Sequence, residues 1–168
     1  HAAREEGDNA IYKAMEAINW FRTFQFPKVS SFLGPVKMSV TVINAGTQHN
    51  VVPASCTFVV DVRTTDVYNN QEVLDIIRQH VSVEVNPRST RLNPSTIAVD
   101  HPIVLSGLEL GAQTFGSPTM SDQALLTIPS IKAGPGDSAR SHSANEFIFL
   151  DEIEQGIVFY IKILQKVL

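Results

Sequence analysis

Cysteine, charged residues and long apolar runs are all scarce in this sequence. Its 168 residues contain one cysteine, Cys56, which excludes an internal disulfide and favours a cytoplasmic protein. The longest apolar run, residues 157–164, is broken by Lys162 and is too short to cross a membrane. Lysine and arginine number 13 against 17 acidic residues, so the net charge of −4 predicts neither a basic surface nor a nucleic-acid partner.

The first half of the chain has the pattern of an α+β domain. Residues 8–24 predict a helix that Asp8 or Asn9 can cap, with an apolar face of Ile11, Met15, Ile18 and Phe21. Alternating apolar residues predict strands over 36–42, 55–63 and 81–85, and residues 70–80 predict a second helix. One further strand before His1 would complete the order βαββαβ of a ferredoxin-like fold. We therefore expect a ferredoxin-like domain over residues 1–92 whose first strand is missing.

Residues 93–168 have the pattern of a segment of an α/β layer structure. The aperiodic residues 86–96, with two prolines, predict a linker or long connection. Pro102 suits the first turn of a helix that runs to about Gly116. A short helix through Leu126 and a strand over 127–133 follow. Asp151 and Glu154 resemble a capping box before a last helix, with the apolar face Ile153, Ile157, Ile161 and Leu164.

A polar loop of residues 134–146, which we call the histidine loop, lies between that predicted strand and the last helix. It combines glycines, hydroxyls, a cation, an imidazole and acids, and loops of this kind carry sites. His142 can be a metal ligand, a general acid or base, or a solvated loop histidine. A zinc site needs about four ligands, and the usual tight spacings are absent. Ser138 and Ser141 lack the Gly-x-Ser-x-Gly context of a nucleophile.

Two arginines and one loop admit both a structural and a binding interpretation. Arg63 follows Asp61 on the polar face of a predicted strand, which predicts an exposed ion pair or a clamp for a substrate carboxylate. Arg140 admits the same two interpretations. Residues 44–50 predict either a plain hairpin loop or a loop that hydrogen-bonds a substrate.

Four segments, in order along nearly the whole chain, resemble the acetylornithine deacetylase and succinyl-diaminopimelate desuccinylase family of metallopeptidases, which includes aminoacylases and dipeptidases. They are His1-Ala-Ala-Arg with Gly7-Asp-Asn-Ala-Ile, residues 42–53, Val60-Asp-Val-Arg63, and the histidine loop. The resemblance implies a ferredoxin-like lid, often the dimerisation domain, inserted into an α/β catalytic domain with two zinc ions. It also implies amide hydrolysis by a metal-bound water that a glutamate deprotonates.

The resemblance assigns a role to each matching residue. His142 would be a zinc ligand, supported by Asn145 and Glu146. His1 would be the lid histidine that polarises the scissile carbonyl, commonly in the active site of the partner subunit. Substrate contacts would come from the lid residues Asn50 and Arg63, and from Ser138, Gly134 and Gly136 around the acyl or carboxylate group.

The sequence departs from the family in two respects. Glu5 stands where the family has a proline. The family's His-x-Asp motif, bridging aspartate and glutamate pair have no counterparts, so we expect a fragment that is inactive and binds no zinc alone.

We expect the complete protein to be a homodimeric zinc-dependent deacylase of N-acyl amino acids, because Arg63 and Arg140 favour a free carboxylate. The nearest resemblance is to acetylornithine deacetylases of arginine biosynthesis. The alternative is a non-catalytic ferredoxin-like module that dimerises or binds a small ligand, which leaves the histidine loop unexplained.

Overall fold

The structure is a computed structural model that describes residues 1–4 and 6–168. Glu5, where the sequence departs from the family's proline, lies outside the described residues. The chain divides into two compact units, His1–Pro94 and Ser95–Leu168. The first unit contains α1 (Ala10–Thr23), β1 (Lys37–Ala45), β2 (Cys56–Arg63) and α2 (Asn70–His80). The second unit contains α3 (Pro102–Glu109) and α4 (Leu150–Val167). Two short 3₁₀ turns, Asp122–Leu125 and Ser138–Arg140, lie between these two helices in the chain.

Helix α1 begins where the sequence predicts it. The side-chain oxygen of Asn9 accepts a hydrogen bond from the Ile11 N–H at 3.0 Å, which satisfies one free donor of the first turn. The predicted apolar face is wrong at Met15, which is 58% exposed, because α1 buries Ala14, Ala17 and Phe21 instead. Two small alanines let the helix approach β1 and β2 closely, so the buried face is rotated away from the larger side chains.

The two strands form an antiparallel hairpin that packs against α1, and α2 adds Val73 and Ile77 to the same core. Its register runs from Lys37 opposite Arg63 to Ala45 opposite Cys56, with an irregularity between Val40 and Val42. The core contains residues of both helices and the loops, with half-buried strand residues against them: Phe21, Phe26, Val36, Tyr68, Val73, Ile77, Phe58, Val60 and Val62. One face of the antiparallel sheet thus packs into a core that both helices share, and the predicted α+β class is confirmed.

The strand predicted over residues 81–85 is wrong: the described part of the chain forms only the two-stranded sheet β1–β2. Val81 and Val85 still pack against the core, so their alternation reflects one-sided burial without a neighbouring strand. The aperiodic segment after them is a connection fixed to α2. The Asn70 side-chain amide donates to the carbonyl oxygens of Thr90 and Leu92, at 3.3 and 2.8 Å.

The second unit is built on the packing of α3 against α4. The ring nitrogen Nδ1 of His101 accepts from the Ile103 N–H at 3.3 Å, and α3 ends at Glu109, well before the predicted Gly116. The Ser106 hydroxyl donates to the carbonyl oxygen of buried Ile163 at 3.5 Å. The strand predicted over 127–133 is wrong, because the structure gives this segment no strand and leaves most of it exposed.

Helix α4 differs from its sequence pattern at its start and on its apolar face. The Glu152 carboxylate accepts from the Phe149 N–H at 2.9 Å, so the predicted pairing of Asp151 with Glu154 is wrong. The predicted apolar face stays exposed, at Ile153, Ile157, Ile161 and Leu164. No helix within the described residues is both long enough and apolar enough to span a membrane.

Candidate functional site

The histidine loop lies against one side of α4. Glu152, Gly156 and Tyr160 follow one another at four-residue intervals, so they share one side of the helix, and we call them the α4 stripe. The Tyr160 hydroxyl donates to the Ala133 carbonyl oxygen at 2.5 Å. A Cβ atom at Gly156 would lie 2.9 Å from the Cβ of Pro135, so a larger residue would displace the loop.

Arg140 connects the histidine loop to Glu152, the remaining member of the α4 stripe. Its Nη2 donates to Glu152 Oε1 at 2.5 Å, and its guanidinium carbon lies 5.0 and 5.3 Å from the ring centres of Phe147 and Phe149. The hydrogen bond to Glu152 raises the pKa of Arg140, and the same bond, aided by the Phe149 N–H, lowers the pKa of Glu152. The Arg140 side chain is 18% exposed. Arg140 is therefore better described as the partner of Glu152 in a structural ion pair than as an open clamp for a substrate carboxylate.

His142 lies on a strained and exposed turn of this loop. His142 and Asn145 have φ angles of 59° and 60°, in the left-handed region, which asparagine adopts readily but which costs about 1–3 kcal/mol at a residue such as His142. The Glu146 carboxylate accepts from the His142 backbone N–H at 2.9 Å, and the Ser143 hydroxyl donates to the Arg140 carbonyl oxygen at 2.5 Å. Glu146 thus supports the backbone of His142, and the exposed imidazole is open to a ligand.

The other loop residues assigned to substrate binding precede this turn in the chain. Gly136 has a φ of 84°, and a Cβ there would lie 3.1 Å from Ile148 Cδ1, so glycine fits both the backbone and the space. Gly134 has open space around it. Ser138 is exposed and begins a 3₁₀ turn in which the Asp137 carboxylate accepts from the Ala139 N–H at 2.8 Å.

In the first unit, the segment that begins at His1 pairs with the loop after β1. The Ala2 N–H donates to the Asn50 carbonyl oxygen at 3.0 Å, and the Ala10 N–H donates to the Pro53 carbonyl oxygen at 3.2 Å. The His1 ring nitrogen Nδ1 accepts from the Ala3 N–H at 3.1 Å. These bonds place His1 next to Asn50, and both residues are exposed.

Arg63 lies at the other end of the hairpin. It pairs with Lys37 in the register, and the eight residues of β2 span about 24 Å from the end nearer Asn50. Its Nε donates to Asp61 Oδ2 at 2.8 Å, and both side chains are largely exposed. The predicted exposed ion pair between Arg63 and Asp61 is therefore present. Among the described residues, no contact joins Arg63 to His1 or Asn50.

A family model described as the peptidase dimerisation domain matches residues 1–88, slightly more than half of the chain. The chain belongs to this family. The match covers nearly all of the first unit, whose α+β arrangement is consistent with a ferredoxin-like peptidase dimerisation domain. Membership supports homodimer formation and links the chain to peptidases, which are hydrolases. The histidine loop and the α4 stripe lie outside the matched residues.

The side chains that could bind a metal ion do not form a cluster in the described part of the chain. Within residues 1–4 and 6–168, no group of three or more His, Cys, Asp or Glu side chains could hold one. An exposed imidazole such as that of His142 has the donor chemistry that zinc uses, so it fits as one ligand of a set. The remaining ligands of such a site would have to come from other polypeptide.

The α4 stripe was not predicted from the sequence. One signal was available, because Gly156 stands inside a helix that the spacing of its apolar residues predicts. A glycine inside a helix weakens it and marks a close approach of another segment. The identity of that segment, Pro135, could not be predicted from local spacing.

Proposed function

We propose that this chain is part of a zinc-dependent hydrolase that removes the acyl group from an N-acyl amino acid, as acetylornithine deacetylases of arginine biosynthesis do in the cytoplasm. Residues 1–92 are the lid and dimerisation domain, and residues 93–168 are the C-terminal part of the α/β catalytic domain. One observation carries the proposal: a chain with a peptidase dimerisation domain also holds an exposed histidine on a strained, supported turn. Strained non-glycine backbone clusters at functional sites.

The histidine loop supplies one zinc ligand and the groups that surround the acyl or carboxylate group of the substrate. His142 supplies one zinc ligand, and Glu146 fixes its position through the backbone hydrogen bond. Bound zinc activates a water molecule and polarises a carbonyl group. Gly134, Gly136 and Ser138 line the acyl or carboxylate pocket with backbone groups and a hydroxyl, and glycine allows the substrate to approach the main chain.

The lid contributes hydrogen-bond donors that act when charge develops on the substrate. The His1 imidazole polarises the scissile carbonyl, and the adjacent Asn50 amide assists it, because both can donate to a developing oxyanion. Arg63 binds the free carboxylate of the substrate from a different subunit than the His1 and Asn50 that contact the same molecule, because the length of β2 separates them within one chain. Its exposed pair with Asp61 contributes about 0–1 kcal/mol, so exchanging it for a substrate carboxylate costs little.

The test compares His142→Ala with His49→Ala, a second exposed histidine outside the histidine loop, in the intact hydrolase. We expect His142→Ala to lose bound zinc and the hydrolysis of N-acetylornithine, and His49→Ala, which lies beside Asn50 in the lid, to retain its zinc. Metal content is measured by mass spectrometry after dialysis. Unchanged zinc in His142→Ala would refute the proposed ligand.

The purified 168-residue chain provides the second arm of this test. It should give no turnover above background with zinc and N-acetylornithine, because one imidazole cannot replace a set of about four ligands. Hydrolysis that rises with the concentration of the chain and disappears in His142→Ala would contradict the proposal that other polypeptide completes the site.

A further inference from the structure

We propose that the α4 stripe sets the position of the metal-binding imidazole, so that Glu152, Gly156 and Tyr160 are positioning residues for His142. This inference rests on the function proposed above. No member of the stripe is a candidate ligand or substrate contact there, because each is occupied by the histidine loop or by the residue before it.

Three contacts hold the loop along the helix. Tyr160 binds Ala133 and Gly156 contacts Pro135, while Glu152 binds Arg140 two residues before His142. The contacts follow the helix and the loop in opposite directions, so the loop runs antiparallel to α4. Three separated contacts fix the direction of the loop along α4 as well as its distance from the helix.

The hydrogen bonds of the turn carry this constraint to the histidine. The Ser143 hydroxyl bonds the carbonyl oxygen of Arg140, which is the residue held by Glu152. Glu146 then bonds the His142 N–H and closes the turn. A continuous set of contacts therefore connects α4 with the strained backbone of His142.

Gly156 is the residue that core packing does not explain. A glycine in a helix interior destabilises the helix relative to alanine, so the helix alone would favour a larger residue. The 2.9 Å separation between a built Cβ and Pro135 shows why glycine is needed for the loop. Gly156 thus lowers the stability of α4 but allows the loop to pack against it at a defined position.

This conflict makes Gly156→Ala a discriminating variant, because it strengthens α4 and displaces the loop. Tyr160→Phe removes only the hydroxyl that binds Ala133. Gln155→Ala is the matched control, since Gln155 is exposed on the same helix and makes no described hydrogen bond to the loop. Arg140→Lys and Arg140→Ala test rescue, because lysine keeps the charge that Glu152 binds.

Hydrogen exchange in the 168-residue chain gives the first readout. We expect Gly156→Ala to raise amide exchange about tenfold over residues 139–142, whose N–H groups donate hydrogen bonds within the loop, while α3 and α4 keep their protection; Gln155→Ala should match the parent chain. Unchanged exchange in the loop would overturn the inference. Equal increases in α3 and α4 would also overturn it, because they would indicate a general structural role.

Zinc affinity of the intact hydrolase gives the second readout. Residues that orient a ligand typically change metal affinity by about 10–100-fold, and we expect this loss for Gly156→Ala and Arg140→Ala, with partial recovery in Arg140→Lys. If His142→Ala loses zinc but Gly156→Ala binds it normally, the positioning role alone is wrong. If His142→Ala itself retains zinc, the proposed ligand and its positioning both fail.

Discussion

At the scale of single residues, the histidine loop depends on backbone conformations that few residues adopt. The residue types around His142 predict a site, because imidazole, acids and hydroxyls occur together there. The left-handed φ angles of His142 and Asn145 could not be predicted, because they depend on hydrogen bonds that form only in the folded loop. Arg140 illustrates the same limit, since its partner Glu152 is twelve residues away.

Gly136→Ala tests the backbone requirement of the loop. We expect a loss of about 1–2 kcal/mol in the free energy of unfolding of the second unit, because alanine is unfavourable at a φ of 84° and its Cβ would contact Ile148. Gly134→Ala is the matched control, since it has open space and a φ outside the left-handed region. Urea unfolding measures both, and equal effects would show that neither strain nor space limits position 136.

Glu152→Gln tests the ion pair through its dependence on pH. The pKa of Glu152 is lower in the folded chain than the ordinary value of about 4.3, so the charged carboxylate stabilises the fold above that pH. This stabilisation is lost as the pH falls through the lower folded pKa. We therefore expect Glu152→Gln to be less stable than the parent chain at pH 7, with a difference that shrinks below about pH 4. Unfolding free energies from pH 3 to 7 measure this, and a constant difference would contradict it.

At the scale of secondary-structure elements, hydrophobic spacing predicted α1, β1, β2 and α2, and it identified the buried side of α2 at Val73, Leu74 and Ile77, but it erred on the apolar sides of α1 and α4. Residues 81–85 have the alternation of a strand, yet pairing depends on a neighbour that the local sequence does not specify. The apolar side of α4 follows the predicted spacing, and it remains exposed. Periodicity identifies an apolar side, whereas its burial is decided by segments distant in sequence.

Phe21→Ala and Met15→Ala compare the observed and the predicted buried sides of α1. Phe21 is 6% exposed and packs edge-to-face against Trp20 and Phe58, so its truncation should cost about 3–5 kcal/mol. Met15→Ala should change the stability by less than about 0.5 kcal/mol, because that side chain is already in solvent. Denaturant unfolding followed by the fluorescence of Trp20 measures both. Similar losses for the two variants would mean that α1 is rotated towards its predicted face.

At the scale of the whole molecule, the first unit belongs to a dimerisation family, and its two-stranded sheet suits contact with a second copy. The irregularity in β1 leaves Val42 opposite Val59, and the two side chains are 47% and 55% exposed. Exposed apolar residues on a short sheet with unpaired strand edges favour association. The sequence predicted dimerisation through resemblance, but the exposure of Val42 follows from an irregularity that depends on the pairing of the two strands.

Val42→Lys therefore tests whether the hairpin is the contact between two copies. We expect the parent chain to be dimeric at micromolar concentration and Val42→Lys to be monomeric, because a homodimer brings the two introduced charges into an apolar contact. Val29→Lys is the matched control, since Val29 is at least as exposed as Val42 in the same unit but lies outside the hairpin. Light scattering after size-exclusion chromatography gives the mass of each variant, and circular dichroism verifies that each is folded. A dimeric Val42→Lys, or a monomeric Val29→Lys with intact fold, would place the contact on another surface of the dimerisation domain.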